Sequence, residues 1–271
     1  MRYIAILILS ALALCGYGQQ GEVFTVVKVK GSIYNITAKT PLASGSVVGS
    51  RDQLEFGSND AEAIAISSTR GKFIIKQPTD DVFGSSIAMA SANSAASPIA
   101  ARSQYSVRAL EFKIEDFAEY LGGSSFFVIG DSVKMTFLAS AYPLNTNNYV
   151  SVSYASSGAE VNVDLTSLGQ NIELSRKSLF APHTQAKEIS GVTFYYLNAD
   201  KQAINRIATV KMIFFNEKEL ANEARSVEKI LTSEGMSRKD IQNYLKQYLT
   251  DIYGNTDPVA LQTFLTKTLG N

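Results

Sequence analysis

The stretch AEAIAISSTRGKFIIK (residues 61–76) decides how the N-terminal part of the chain folds. Alternating apolar residues precede Arg70, Gly71 and Lys72, and a short apolar run follows them, as is typical of two β-strands. Glycine adopts turn angles at no steric cost, so Gly71 predicts a hairpin. The alternative is an anion or partner contact made by Arg70 and Lys72. We favour the hairpin, because basic residues beside a turn commonly keep it solvated.

The strand pattern of this hairpin continues toward the N-terminus. Two β-branched runs separated by Gly31 occupy residues 23–36, and QLEF at residues 53–56 alternates again. Glycine, asparagine and aspartate mark the breaks, as expected between short strands. We therefore predict a small all-β domain over residues 19–77.

Residues 78–106 differ in composition from the segments on either side. They are rich in alanine and serine, they contain Pro98, and they show no sustained hydrophobic period. This composition predicts a flexible linker.

Residues 107–215 return to strand patterns after one short helix. The stretch IEDFAEYLGG (residues 114–123) predicts one short helix that ends at Gly122. The apolar segments that follow are spaced like the strands of an antiparallel β-sandwich, immunoglobulin-like in outline. The cysteine pair and the buried tryptophan of immunoglobulin domains are missing, since the chain has one cysteine and no tryptophan. The sequence therefore leaves the strand topology open.

The hydrophobic period becomes helical in residues 216–271. Asn216, Ser237 and Asp257 each precede such a stretch and are typical N-cap residues, and Gly235 is a typical helix stop. We predict three helices that form a C-terminal subdomain, either a small bundle or a layer on the sandwich. The predicted fold class is mainly β with a C-terminal α-helical subdomain.

The N-terminus has the pattern of a targeting segment. An arginine precedes an apolar run that ends in small residues, so we predict a secretory signal peptide over residues 1–18. Lipidation of Cys15 is the alternative, although Leu14 is larger than the residue that usually precedes a lipidated cysteine. We expect an exported protein of the periplasm or outer membrane. Membrane contact is expected only through a partner or a lipid on Cys15.

The charge balance argues against a nucleic-acid partner. Lysine and arginine number 25, and aspartate and glutamate also number 25. A protein that binds nucleic acid usually carries a basic excess on one face. The partners expected here are a protein of the cell envelope or a cell-wall glycan.

The sequence offers no catalytic, cofactor or metal motif. The single histidine, His183, lies in a stretch with loop composition. The sequence contains no G-x-S-x-G motif, so no nucleophilic serine is indicated for which His183 would act as general base. Residues 57–62 and 253–258 contain oxygen ligands, but neither has the spacing of a calcium loop. We expect no enzyme activity, no cofactor and no metal.

A carboxylate pair for sugar hydrolysis is the remaining catalytic alternative. The nearest candidates are Asp131, Glu160 and Asp164. Glu160 and Asp164 alternate with valines, which is typical of the solvated face of a strand and is the interpretation we favour.

Tyr195 is the candidate contact for a partner or glycan. In TFYYL (residues 193–197), strand alternation places Phe194 and Tyr196 on one face and Tyr195 on the other. Exposed tyrosines on a sheet can bind glycans or proteins, whereas half-buried strand tyrosines are more common.

The segment FTVVKVKGSIYN…PLASGSVVGSRDQLEFGSNDAEAIAISSTRGKFII resembles the small β-module of FecR-like proteins over residues 23–75. Such modules share a V-x-G-x-V start and an L-x-x-G-x-x-V middle. The order of RGKF, a linker, a short helix and FFVIG also resembles uncharacterised exported envelope proteins of Bacteroidetes. The resemblance implies an envelope location and carries no catalytic residues. FecR proteins relay signals across the envelope, so it also implies signal sensing as an alternative.

These observations lead us to expect a noncatalytic exported interaction or scaffold protein of the bacterial cell envelope. It would bind a protein partner through its β-modules. Envelope signal sensing and carbohydrate or cell-wall binding are the two alternatives.

Overall fold

A computed structural model describes residues 22–67, 71–77, 88–91, 96–98, 112–180 and 186–270. The predicted signal peptide over residues 1–18, Cys15, Arg70 and His183 all lie outside these ranges. The chain forms two units, Met1–Ile99 and Ala100–Asn271. Strands account for 44% and helices for 27% of the structure, which confirms the mainly β fold class.

The first unit consists of short strands in two sheets. Its strands are β1 (Val23–Lys30), β2 (Ile33–Asn35), β3 (Thr40–Pro41), β4 (Val47–Gly49), β5 (Gln53–Phe56), β6 (Glu62–Ser67), β7 (Gly71–Lys76), β8 (Ala88–Ser91) and β9 (Ala96–Pro98). One sheet has the order β4-β1-β6-β7-β9, and the other has the order β3-β2-β5-β8. All the pairings in this unit are antiparallel.

Alternating apolar side chains from both sheets form the core of this unit. Its centre includes Phe24 on β1 and Phe73 on β7, whose rings meet edge to face at 5.2 Å. Ile33 and Phe56 enter the same core from β2 and β5. The period of two recognised in the sequence corresponds to one buried face on β2, β5 and β7, whereas five of the six residues of β6 are buried.

The hairpin predicted from residues 61–76 is confirmed. β6 pairs with β7 along its whole length, and the pairing closes at Ser67 opposite Gly71. Gly71 has φ 89°, a left-handed conformation that glycine adopts without strain.

The predicted linker over residues 78–106 is wrong for two segments within it. Residues 88–91 form β8, which pairs with β5, and residues 96–98 form β9, which pairs with β7. Both strands extend sheet edges through backbone hydrogen bonds, which alanine and serine supply as well as other residues do. Pro98 fits because β9 is an edge strand, where a missing N–H is tolerated.

The second unit contains a sandwich and five helices among the described residues. Its strands are β10 (Ser125–Ile129), β11 (Ser132–Thr136), β12 (Asn148–Ser156), β13 (Ala159–Asp164), β14 (Ser167–Leu168), β15 (Asn171–Ser175), β16 (Glu188–Asn198) and β17 (Ala203–Phe215). Its helices are α1 (Phe117–Leu121), α2 (Arg176–Leu179), α3 (Glu217–Ser233), α4 (Arg238–Tyr253) and α5 (Pro258–Leu269). The short helix predicted before the sandwich is α1, and Gly122 caps it.

The strand order is that of an immunoglobulin-type sandwich. One sheet runs β10-β17-β16-β12-β13 and the other runs β11-β15-β14. In chain order, β11 to β17 take the places of strands B, C, C′, D, E, F and G. β10 joins the last strand, β17, in parallel, and the other pairings are antiparallel.

The sandwich core replaces the immunoglobulin disulfide and tryptophan with aliphatic and aromatic packing. Met135 on β11 and Phe194 on β16 are fully buried between the sheets. Tyr154 on β12 is buried as well, and its hydroxyl donates to the Leu179 carbonyl at 2.5 Å. A hydrogen-bonded tyrosine can fill such a core without leaving its polar atom unsatisfied.

The three C-terminal helices begin at the predicted caps. The side chain of Asn216 accepts from the Lys218 and Glu219 amides, that of Ser237 from Asp240, and that of Asp257 from Ala260. These bonds satisfy amides that a helix N-terminus leaves without an intrahelical partner.

The helices pack on the face of the large sheet that points away from the sandwich core. Phe127 and Phe215 on that face surround Tyr253 at the end of α4, with ring separations of 4.5 to 6.0 Å. The backbone also joins the layers, because the Phe127 amide donates to Asn255 O and the Asn255 amide donates to Ser125 O. None of the helices in the described ranges is both long and apolar enough to cross a membrane.

Candidate functional site

The contact candidates Lys72 and Tyr195, which the sequence marked, belong to different units of the chain. Lys72 lies half-buried on β7, opposite Ile66 on β6. Tyr195 lies in the second unit, on β16. Arg70 and Cys15 fall outside the described residues, so the predicted anion contact stays a prediction.

Tyr195 belongs to an exposed sheet surface that we call the outer face. Phe194 and Tyr196 point into the sandwich core, as predicted, and Tyr195 points the other way. Residues directly opposite each other in a sheet share a face, so the strand register defines the rest of the surface. The outer face comprises Tyr149, Ser151, Tyr195, Leu197, Ile204 and Arg206.

An apolar row crosses the outer face. Tyr149 on β12 lies opposite Leu197 on β16, which in turn lies opposite Ile204 on β17. Tyr149 and Leu197 are half-buried, and Ile204 is 70% exposed. Three large apolar side chains thus line up on a surface that no described element covers completely.

A polar row runs beside the apolar one. It places Ser151, Tyr195 and Arg206 opposite one another on three adjacent strands. The Arg206 guanidinium donates to Thr209 Oγ1 at 2.6 Å, and Thr209 Oγ1 lies 2.8 Å from Thr193 Oγ1. These bonds hold the Arg206 cation beside Thr193 and Thr209 on the exposed side of the sheet.

β13 forms the acidic edge of the same sheet. Glu160, Asn162 and Asp164 are exposed, while Val161 and Val163 pack against the core from the other side. This is the solvated face predicted from the alternating sequence. Asp131, the third carboxylate of the predicted set, lies in the turn between β10 and β11.

A groove of about 750 Å³ lies next to β13. Its lining is mixed, with apolar side chains (Val163, Leu165, Leu168 and Leu179) and charged ones (Lys134, Asp164 and Glu173). Leu168 on β14 is 85% exposed, which is unusual for a leucine in a β-sandwich. Leu168 and the half-buried Val163 therefore offer apolar surface beside the edge strand.

A second cleft, of about 770 Å³, lies between β11 and α5. Lys113, Lys134 and Lys267 line it, and Lys267 pairs with Glu217 at 2.7 Å. Asp257, at its wall, is 7% exposed.

Asp257 is held by hydrogen bonds from two parts of the unit. Its Oδ2 accepts from the Tyr120 hydroxyl at 3.1 Å, and its Oδ1 accepts from the Ala260 amide at 2.7 Å. Burial raises the pKa of Asp257 above its ordinary value and raises the pKa of Tyr120 well above its own. Since Asp257 is a buried helix cap, we assign it a structural role.

A buried carboxylate also lies within the helical layer. The hydroxyls of Tyr248 and Tyr253 donate to Glu223 Oε1 at 2.9 and 2.7 Å, and Tyr253 also reaches Oε2 at 2.9 Å. Burial raises the pKa of Tyr248 well above its ordinary value. The partners lie 25 and 30 positions from Glu223 in the sequence, and helical periodicity alone did not reveal the cluster.

The oxygen-rich stretches named in the sequence serve as a turn and a cap. Ser58 donates its hydroxyl to Asp60 at 2.6 Å, and this bond lowers the pKa of Asp60 below its ordinary value. Asp257 caps α5. Within the described ranges, no three histidine, cysteine, aspartate or glutamate side chains are placed to hold a metal ion.

Comparison with known proteins adds no family to this description. No family model matches the chain, and no curated protein matches it either.

Proposed function

We propose that this chain is a noncatalytic interaction protein of the bacterial cell envelope that binds a protein partner through the outer face of its sandwich. The observation that carries the proposal is the apolar row of Tyr149, Leu197 and Ile204 beside Tyr195 and Arg206. Export and an envelope location rest on the N-terminal pattern and on the FecR-like resemblance described above.

The composition of the outer face suits a protein partner. Tyrosine and arginine are enriched at protein interfaces, and a central apolar patch with a polar border is the usual arrangement. Ile204 is 70% exposed, so burying it against a partner would remove substantial apolar surface from water. Ser151, Thr193 and Thr209 supply hydroxyls at the border.

Glycan binding is the second candidate, because Tyr149 and Tyr195 lie on the same side of the sheet. A tyrosine ring can stack on a sugar while its hydroxyl donates a hydrogen bond. The exposed Ile204 and Leu197 favour the protein partner, since aliphatic side chains offer no hydrogen bonds to sugar hydroxyls.

Crosslinking in native envelopes, followed by affinity purification and mass spectrometry, tests the proposal. We expect a partner that the wild-type chain captures and that the double variant Leu197→Ala, Ile204→Ala loses. The matched control is Lys229→Ala, an exposed position on α3. Retention of all partners by the double variant would contradict the proposal. Release of sugars from peptidoglycan by the purified chain, with no captured partner, would contradict it too.

A further inference from the structure

We propose that the free edge of β13 binds an extended strand of another protein in which basic residues alternate with apolar ones. The proposal goes beyond the outer-face function, because it uses the backbone of an edge strand. It rests on the hydrogen-bond phase of β13, on its acidic face and on the adjacent apolar groove.

The turn that begins β13 determines which backbone groups point outward. Ser157 and Gly158 form the two-residue loop of the β12–β13 hairpin, with φ 51° and 83°. The residues that close such a loop, Ser156 and Ala159, exchange both of their backbone hydrogen bonds. In an antiparallel pair of strands, hydrogen-bonded and non-hydrogen-bonded residue pairs alternate. Val161 is therefore the next residue of β13 whose N–H and C=O groups bond to β12.

The residue that follows β13 shows the same alternation of inward and outward backbone groups. The Leu165 amide donates to Val150 O at 2.8 Å, so the odd-numbered residues bond to β12 as far as position 165. The N–H and C=O groups of Glu160, Asn162 and Asp164 therefore face away from β12. β13 is the last strand of its sheet among the described strands, so these groups form an open edge.

β13 is regular enough to accept another strand. Its six residues pair with β12 without a bulge, and the strand contains neither proline nor lysine. Bulges, prolines and charged side chains are the usual devices that protect an edge from pairing. β13 has only the last of these, Glu160 and Asp164, and basic residues on a partner strand would neutralise them. An incoming strand would extend the sheet by backbone hydrogen bonds, as in other cases of β-strand addition.

The charge of β13 selects the partner. Glu160 and Asp164 lie on the same exposed face, and within the described part of the chain no ion pair engages either of them. Ser153 holds the Glu160 carboxylate by a 2.7 Å hydrogen bond, which fixes a negative charge at the edge. Residues directly opposite Glu160 and Asp164 would lie about 5 Å away, so lysine or arginine there is favoured.

A second copy of this chain fits the edge poorly. Antiparallel pairing of two β13 strands about Asn162 would put Glu160 opposite Asp164 of the other copy at both ends. Like charges placed directly opposite each other destabilise a sheet. This full-length pairing is therefore disfavoured, and the occupant that we propose is a strand of a different protein.

The alternate residues of that strand would point toward the sandwich core. On this side Val163 is half-buried, and the groove beside it continues through Leu165, Leu168 and Leu179. Apolar side chains at alternate positions would cover this wall and the exposed Leu168. The expected sequence is thus basic and apolar in strict alternation.

A fluorescent nine-residue peptide that alternates lysine and valine is the probe, and anisotropy with the intact protein measures its binding. We expect saturable binding, with at least about fivefold weaker binding to the double variant Glu160→Gln, Asp164→Asn. A peptide of the same composition with its lysines in one block, and one that alternates glutamate with valine, should not bind. No binding by the lysine-valine peptide, or equal binding by the block peptide, would overturn the proposal.

Backbone pairing is tested separately from charge. Asn162→Pro removes one outward N–H and should weaken peptide binding at least about fivefold, whereas Asn162→Thr keeps that N–H and should bind like the wild type. If Asn162→Pro does not fold, methylated peptides give the same test. Methylation of the lysine backbone nitrogens, which would face β13, should abolish binding, and methylation of the valine nitrogens should not. Equal binding by both peptides would reduce the contact to charge attraction and overturn strand addition.

The peptide result is independent of the outer face. Leu197→Ala with Ile204→Ala should leave the peptide affinity unchanged, because these residues lie two strands or more from the free edge. Loss of peptide binding in this double variant would contradict the edge as its location.

Discussion

The Tyr120 hydroxyl donates a 3.1 Å hydrogen bond to Asp257, although the two residues lie 137 positions apart in the chain. The bond joins α1, which precedes the sandwich, to the N-cap of α5, which follows it. Both side chains are buried, so each depends on the other to satisfy a polar group away from water. The contact therefore connects the C-terminal helical layer to the short helix that precedes the first strand of the sandwich.

Removing the Tyr120 hydroxyl should destabilise the second unit. Tyr120→Phe leaves the buried Asp257 carboxylate with one hydrogen bond fewer, and we expect a loss of about 1–3 kcal/mol in the free energy of unfolding. Urea denaturation followed by circular dichroism measures it. Tyr149→Phe, on the exposed outer face, is the matched control and should change the free energy of unfolding by less than about 0.5 kcal/mol. Equal effects of the two substitutions would contradict the assigned contact.

The buried Asp257 predicts a pH-dependent contribution to stability. Because burial raises its pKa in the folded state, folding favours the protonated form. This contribution is fully present below the unfolded pKa and is lost as pH rises through the folded pKa. Asp257→Asn removes the titration, so lowering the pH from 7 to 4 should stabilise the wild type relative to this variant. Urea titrations at both pH values measure the difference in the free energy of unfolding. Asp116→Asn, at the exposed cap of α1, is the control. If the stabilities of the wild type and of Asp257→Asn change in parallel with pH, the prediction is contradicted.

Gly254 should tolerate no side chain. It has φ 100°, and a Cβ placed there would collide with the backbone of Ser125, where the chain after α4 pairs with β10. Gly254→Ala should therefore cost more than about 2 kcal/mol in the free energy of unfolding. Gly158→Ala is the control, since Gly158 has φ 83° but no atom within 4 Å of such a Cβ. It should cost about 1 kcal/mol, from the backbone conformation alone.

Glu223 should be the most sensitive carboxylate of the helical layer. Glu223→Ala would leave the buried hydroxyls of Tyr248 and Tyr253 without the acceptor they share and open a space between α3 and α4. We expect a loss of about 2–4 kcal/mol, measured by thermal and urea unfolding. Glu219→Ala, which breaks the exposed pair with Lys187 at 3.4 Å, should cost less than about 1 kcal/mol. Comparable losses at the two positions would contradict this assignment.

Periodicity and capping residues predicted much of the fold. The alternating apolar residues before Gly71 predicted the β6–β7 hairpin, and Asn216, Ser237 and Asp257 predicted where three helices begin. In each of these cases the signal is local, because the residues that form the turn or cap are adjacent in sequence. The immunoglobulin-like outline followed from strand spacing alone.

The sequence did not predict features that depend on pairing across the chain. β8 and β9 arise because sheet edges at β5 and β7 accept backbone hydrogen bonds, and alanine-rich segments carry no period that would indicate this. Tyr120 and Asp257 meet only after the sandwich has formed. The apolar row on the outer face likewise depends on the register of three strands, although Tyr195 itself was recognised.

Site-specific photo-crosslinking from Ile204 in intact cells tests the central claim most directly. Ile204 lies on the outer face and is 70% exposed, so a photoreactive side chain there should not disturb the fold. We predict one dominant crosslinked protein from Ile204 and none from Lys229, the exposed control on α3. Identical crosslinking patterns at the two positions, or no protein crosslinked at Ile204, would contradict a partner at the outer face.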